Sequence, residues 1–135
     1  MRIAFGTDEH TAVTEFVIAD LLEMDHQVLV VADGEPWPEV GRAVGATVAA
    51  GEADRGVACC WTGTGVSMAA NKVPGVRAAL CTDAETARGS RRWNDANVLA
   101  LGLRLTTPGL AHEMIEAFLT TEADEAEREQ FGRLG

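Results

Sequence analysis

The sequence predicts an α/β fold in which a parallel sheet of five strands is covered by helices on both faces. Three observations lead there. Short apolar runs rich in β-branched residues alternate with longer amphipathic stretches through almost the whole chain, the order that requires right-handed crossovers between parallel strands. No internal repeat, low-complexity tract or linker interrupts that order. At 135 residues, 47% of them hydrophobic, the chain suits one domain, residues 1–135, burying roughly two-thirds of its unfolded surface.

Ile3 to Gly6 is the first strand, reached too soon and followed too closely by Asp8 to be a signal peptide. Val13 to Met24 places Val13, Phe16, Val17, Leu21 and Met24 at the spacing of one helix face. Val28 to Ala32 is a β-branched second strand. The second helix, Pro38 to Gly51, opens on a proline whose missing N–H is harmless in the first turn. Gly56 to Cys60 is the third strand, and a glycine-rich turn leads from it into a short helix, Val66 to Lys72. Val76 to Cys81 is the fourth strand, followed by a helix from Asp83, a candidate N-cap, to Arg92. Val98 to Leu101 and Pro108 to Leu119 complete the alternation. The charged tail, residues 120–135, is either a solvated terminal helix or an arm that packs on a partner subunit.

Composition narrows the partners. With 21 acidic and 11 basic side chains the formal net charge is −10, which repels nucleic acid, and no basic stripe offsets it. No run of about 18 apolar residues is present to span a membrane. A small anion remains possible as a ligand, because local main-chain N–H groups bind anions against the global field. Cys59, Cys60 and Cys81 are odd in number and show no metal-ligand spacing, which favours a reducing, cytoplasmic setting.

Ligands of open α/β sheets bind beyond the carboxyl ends of the strands. That rule selects Thr7-Asp8-Glu9-His10, Trp61 to Gly65, and Thr82-Asp83, and it puts Arg92-Trp93-Asn94-Asp95 at the opposite end. The most informative stretch is Cys60-Trp61-Thr62-Gly63-Thr64-Gly65-Val66-Ser67. Glycines let a ligand approach the backbone, and the free N–H groups of a helix start form an anion site. Met68 stands where a dinucleotide fingerprint would need its third glycine. A thiol near helix-end potential is acidified and can abstract a proton next to a carbonyl, while the same N–H groups hold the enediolate oxygen. The competing reading is a tight turn with a buried cysteine. Cys59 should face the other side of the strand as core, and Cys81 is also read as core.

These blocks, with Met1 to Asp8, Gly51 to Val57, Ala69 to Leu80 and Asn94 to Leu99, resemble the family of ribose-5-phosphate isomerase B and the galactose-6-phosphate isomerase subunits. The resemblance runs in order from residue 1 to about 122. It implies a Rossmann-like three-layer αβα sandwich, a homodimer or tetramer with sites at the subunit interface, and aldose–ketose isomerisation of a sugar phosphate through an enediolate. No cofactor and no metal is implied. Cys60 falls on the base, assisted by Thr62; Gly63, Thr64, Gly65, Val66 and Asn94 fall on the anion hole. Asp8 falls on the aspartate that contacts the sugar. The resemblance also carries Arg92 to Asp95 into the site, across the dimer contact.

The chain departs from the family pattern where specificity resides. Glu9 follows Asp8 where the family has histidine, with His10 one place later, either turned into the site or exposed in its loop. Trp61 replaces a glycine after the base, Trp93 replaces the ring-opening histidine, and Trp37-Pro38 replaces Tyr-Pro. Arg128 and Arg133, the counterparts of the phosphate-binding arginine pair, are five apart rather than four. An indole cannot shuttle protons near neutral pH, so a substrate that needs no ring opening, such as erythrulose 4-phosphate, fits this set. Alternatives are a sugar-phosphate binder without turnover, or one subunit of a hetero-oligomeric isomerase. His26 and His112 read as structural. Arg88, Arg91 and Arg92 read as a solvated face, or, by resemblance, Arg91 or Arg92 reaches a partner's phosphate site.

Overall fold

Five parallel strands form one sheet in the computed structural model, which describes residues 1–135. They are β1 (Arg2–Thr7), β2 (Gln27–Asp33), β3 (Arg55–Cys60), β4 (Ala78–Leu80) and β5 (Val98–Gly102), in the order β2-β1-β3-β5-β4. The chain leaves β1 toward β2 and then crosses to β3 on the other side. This reversal places a crevice at the carboxyl ends of β1 and β3.

Helices α1 (Ala12–Glu23), α4 (Ala84–Asn94) and α5 (Pro108–Thr120) cover one face; α2 (Trp37–Ala49) and α3 (Thr64–Asn71) cover the other. Side-chain alternation along the strands feeds two cores. Ile3, Phe5, Val57, Cys59, Leu99 and Leu101 pack toward Val17, Leu21, Met114 and Phe118, while Ala4, Ala58, Cys60 and Ala100 pack toward Val40, Val44, Val66 and Ala70. Each large side chain so buried contributes about 1.5–3 kcal/mol. The second core is built of small residues, which brings α2 and α3 close to the sheet. A Cβ on Gly41 would lie 2.6 Å from the Val66 carbonyl oxygen.

Local chemistry explains where the elements begin and end. Thr11 and Thr14 form a reciprocal cap at the start of α1: Thr14 N–H donates to Thr11 Oγ1 (3.2 Å) and Thr11 N–H to Thr14 Oγ1 (2.8 Å). Asp83 caps α4, accepting from Thr86 N–H at 2.7 Å, as the sequence suggests. Helix α4 runs on to Asn94 and stops where Asp95 adopts φ 48°. Helix α3 begins at Thr64, two residues earlier than the glycine pattern suggests, because Gly63 alone supplies the left-handed turn (φ 80°). Strand β4 is shorter than its apolar run. Asn71 takes over the backbone of Ala78, accepting from its N–H at 2.8 Å and donating to its carbonyl at 3.0 Å.

The tail folds back on its own chain. A 3-10 turn (Glu125–Glu127), α6 (Arg128–Phe131) and a second 3-10 turn (Gly132–Leu134) lie beside α4, with Phe131 buried. Asp124 N–H donates to the Arg92 carbonyl at 2.8 Å. Arg91 corrects the reading of a solvated arginine face: it is 1% exposed. It donates to the Thr121 carbonyl (3.0 Å), Asp95 Oδ1 (2.8 Å) and the Ala96 carbonyl (2.5 Å), tying α4 to the tail and to the approach to β5.

Candidate active site

Cys60 is the last residue of β3, and the pleat turns its side chain toward α2 and α3, away from Cys59. It is 4% exposed, yet it lines an open cavity of about 420 Å³ together with Asp8, Trp37, Trp61, Thr62, Thr64, Gly65 and Met68. The other two cysteines differ. Burial holds the Cys59 thiol far above its ordinary value and pushes Cys81 up to about 11.

The floor of the cavity is the start of α3. Ser67 N–H makes the first intrahelical bond, to the Gly63 carbonyl at 3.2 Å, so helix geometry leaves the N–H groups of Thr64, Gly65 and Val66 without helical partners. Val66 contributes only its main chain, since its side chain is core. Two glycines are required here for different reasons. Gly63 has φ 80° and no room for a Cβ, which would lie 2.5 Å from Leu80 Cδ1 and 2.9 Å from Gly102 N. Gly65 gives its space to an aromatic ring: a Cβ there would lie 2.8 Å from two ring carbons of Trp37. Thr62 Oγ1 and Thr64 Oγ1 are 2.8 Å apart and share a hydrogen bond.

Asp8 closes the cavity from β1. Its Oδ1 is buried with no hydrogen-bond partner, and burial, then the nearby Glu9 charge, raises its pKa. An unpaired buried acceptor is costly, and a donor hydroxyl on a ligand would satisfy it. Glu9 is exposed and does not line the cavity; its carbonyl accepts from Thr7 Oγ1 at 2.6 Å. His10 also stays outside the cavity, with its Nε2 2.8 Å from Glu15 and its Nδ1 3.4 Å from Asp33. Both carboxylates raise its pKa, the Glu15 hydrogen bond most.

The remaining predicted residues are gathered elsewhere. Trp93 and Asn94 end α4 and line grooves beside β4, with Asp83 and Gly89 in one and Arg77 and Leu134 in the other. Arg128 pairs with Glu125 (2.7 and 3.0 Å) and Arg133 with Glu129 (3.1 Å), both in the tail beside α4. A single chain therefore keeps Trp93 and Asn94 in grooves apart from the cavity at Cys60, and Arg128 and Arg133 paired within the tail. Trp37 and Met68 line the cavity without having been selected as site residues. Trp37 follows the carboxyl end of β2, so the strand-end rule extended to that strand would have found it.

Fold and site define a class: a doubly wound parallel α/β protein with a cysteine at the head of a glycine turn whose helix leaves main-chain N–H groups free. The Ribose/Galactose Isomerase family matches residues 3–133, and the chain belongs to it. Galactose-6-phosphate isomerase subunit LacB of Clostridium acetobutylicum is 49% identical over 83 residues, 62% of this chain but only 48% of LacB. The chain thus spans about half the length of that relative. Ribose-5-phosphate isomerase B of Escherichia coli is 35% identical over 137 residues, covering 96% of this chain and 90% of the relative. D-erythrulose-4-phosphate isomerase of Pectobacterium atrosepticum is 34% identical over 128 residues, 90% of this chain and 84% of the relative. Among solved structures, ribose-5-phosphate isomerase B of Clostridium thermocellum superposes with a TM-score of 0.92 at 36% identity, over 100% of this chain and 95% of that one.

Proposed function

We propose that this protein interconverts an aldose phosphate and a ketose phosphate by moving one proton between adjacent carbons, with the Cys60 sulfur as base. The observation that carries the reading is the meeting of Cys60, the free N–H groups of α3 and the unsatisfied Asp8 carboxylate around one cavity. The substrate carbonyl oxygen lies at the α3 amides. The Cys60 thiolate takes the proton from the neighbouring hydroxyl-bearing carbon, and the electron pair moves onto the carbonyl oxygen as the enediolate. Hydroxyl protons exchange between the two oxygens, with the Thr62–Thr64 hydroxyl pair beside them, and Cys60 returns its proton to the other carbon. Each amide donor supplies about 3–4 kcal/mol to the charged intermediate in such a role.

A short substrate fits best. The residue that would help open a sugar ring is Trp93, a donor without acid–base chemistry, and the cavity is walled by Trp37 and Trp61. Erythrulose 4-phosphate cannot cyclise through its phosphorylated terminal oxygen, and one relative is named for acting on it. The phosphate and Asn94 contacts come from a second copy of the chain, because Asn94, Arg128 and Arg133 lie beside α4 rather than at Cys60.

Cys60→Ala should reduce kcat on erythrulose 4-phosphate by at least about 100-fold, the lower range for a positioned base. It should also stop deuterium incorporation from heavy water at C1 and C2 of the substrate. Exchange that persists in this variant would eliminate Cys60 as the base.

A further inference from the structure

A second chamber adjoins the cavity at Cys60, and two residues, Trp61 and Thr62, line both. It is small, about 90 Å³, and sits at the carboxyl ends of β3, β4 and β5. Leu80, Cys81, Leu105 and Leu110 give it apolar walls, and Arg104, Thr82 and Thr106 supply its polar groups. Thr106 is 6% exposed, and its hydroxyl has no hydrogen-bond partner within the chain. Only Trp61 and Thr62 line both this chamber and the cavity at Cys60. Thr62 is short and hydrogen-bonded to Thr64, so the bulk of the partition is the Trp61 indole.

We propose that Trp61 is a specificity-determining residue that fixes substrate chain length by walling off this chamber, and that the chamber is a latent subsite for one further hydroxymethylene unit. The inference rests on the isomerase reading above. Size supports it: 90 Å³ is the liquid volume of about three water molecules. That is enough for the one carbon and one hydroxyl by which a pentose phosphate exceeds a tetrose phosphate. Chemistry supports it as well, since the free Thr106 hydroxyl and the Arg104 guanidinium can hydrogen-bond a polyol but offer nothing to a purely apolar group. The main chain at position 61 is independently fixed, its carbonyl accepting from Arg104 N–H at 2.9 Å, so truncating the ring opens the passage without freeing the loop.

The test pairs a physical readout with a kinetic one. Cys81 lines the chamber and is 1% exposed, so a small alkylating reagent should barely reach it in the wild-type protein. In Trp61→Gly and Trp61→Ala, Cys81 labelling should rise at least tenfold. The ratio of kcat/KM for ribose 5-phosphate over erythrulose 4-phosphate should also rise at least tenfold in both, and Trp61→Phe should hold the wild-type ratio. Adding Cys81→Leu to Trp61→Gly, which refills the chamber, should reverse the gain. Unchanged labelling in both truncations overturns the partition itself. Increased labelling with an unchanged ratio overturns the specificity role. A wild-type protein that isomerises neither sugar overturns the isomerase reading and the specificity role with it, while the labelling still decides whether the indole divides the two spaces.

Discussion

At the scale of the residue, the site depends on differences between side chains of the same type. Cys60 and Cys59 are adjacent, but the pleat gives one a cavity and the other the core. Iodoacetamide near pH 8 should therefore modify Cys60 alone, as peptide mapping would show, because burial keeps the Cys59 and Cys81 thiols protonated. Gly63 is the most constrained position in the anion turn. Gly63→Ala should destabilise the fold by about 1–3 kcal/mol, the usual cost of forcing a non-glycine residue into this backbone region, with a further loss from the contact with Gly102; chemical denaturation would measure it. Both results follow from features legible in the sequence: the alternation of a strand, and a Gly-x-Gly opening a helix. The site's other wall was less legible. That Trp37 lies flat on Gly65 is a long-range packing fact, and the open Asp8 oxygen becomes visible only once burial is known.

Among the elements, helix starts and strand cores followed their local chemistry, whereas lengths were set by partners distant in sequence. The Asp83 cap depends on one neighbouring side chain and could be foreseen, but the retreat of β4 depends on Asn71 reaching Ala78. Arg91 shows the same limit: its helix carries three arginines, and only the docking of the tail decides which one is buried. Arg91→Ala leaves the Thr121 and Ala96 carbonyls without their donor and should cost about 1–3 kcal/mol, the range for an unsatisfied buried acceptor, while Asp95 keeps Arg77. Limited proteolysis should then cut between α5 and α6. Helices α1 and α5 carry a second testable link, Asp20 with His112 Nδ1 at 2.9 Å. The Asp20 hydrogen bond raises the folded-state pKa of His112. Its contribution is thus fully present below the ordinary histidine value and is lost as pH rises through the elevated one. The melting-temperature gap between wild type and His112→Gln should be larger at pH 5.5 than at pH 8.5.

For the whole molecule, the five-stranded parallel sheet and its two-sided helical cover were accessible from the alternation of patterns alone, whereas the order β2-β1-β3-β5-β4 was not. The separation of Cys60 from Asn94 was legible too, because the strand-end rule puts residues 92–95 at the end of the sheet opposite Cys60, and the two line different cavities. The proposed shared site predicts that mixed Cys60→Ala and Asn94→Ala proteins, unfolded and refolded together, recover activity that neither shows alone. Symmetric dimers formed at random would regain about one quarter of the wild-type rate, and no recovery would mean that each chain completes its own site. The same architecture governs how copies can meet. Edge strands invite endless growth by main-chain pairing, but the Asn71 amide already occupies the outward groups of Ala78. At that residue the sheet is closed to a further strand by the chain's own side chain, without a proline or a charge at the edge.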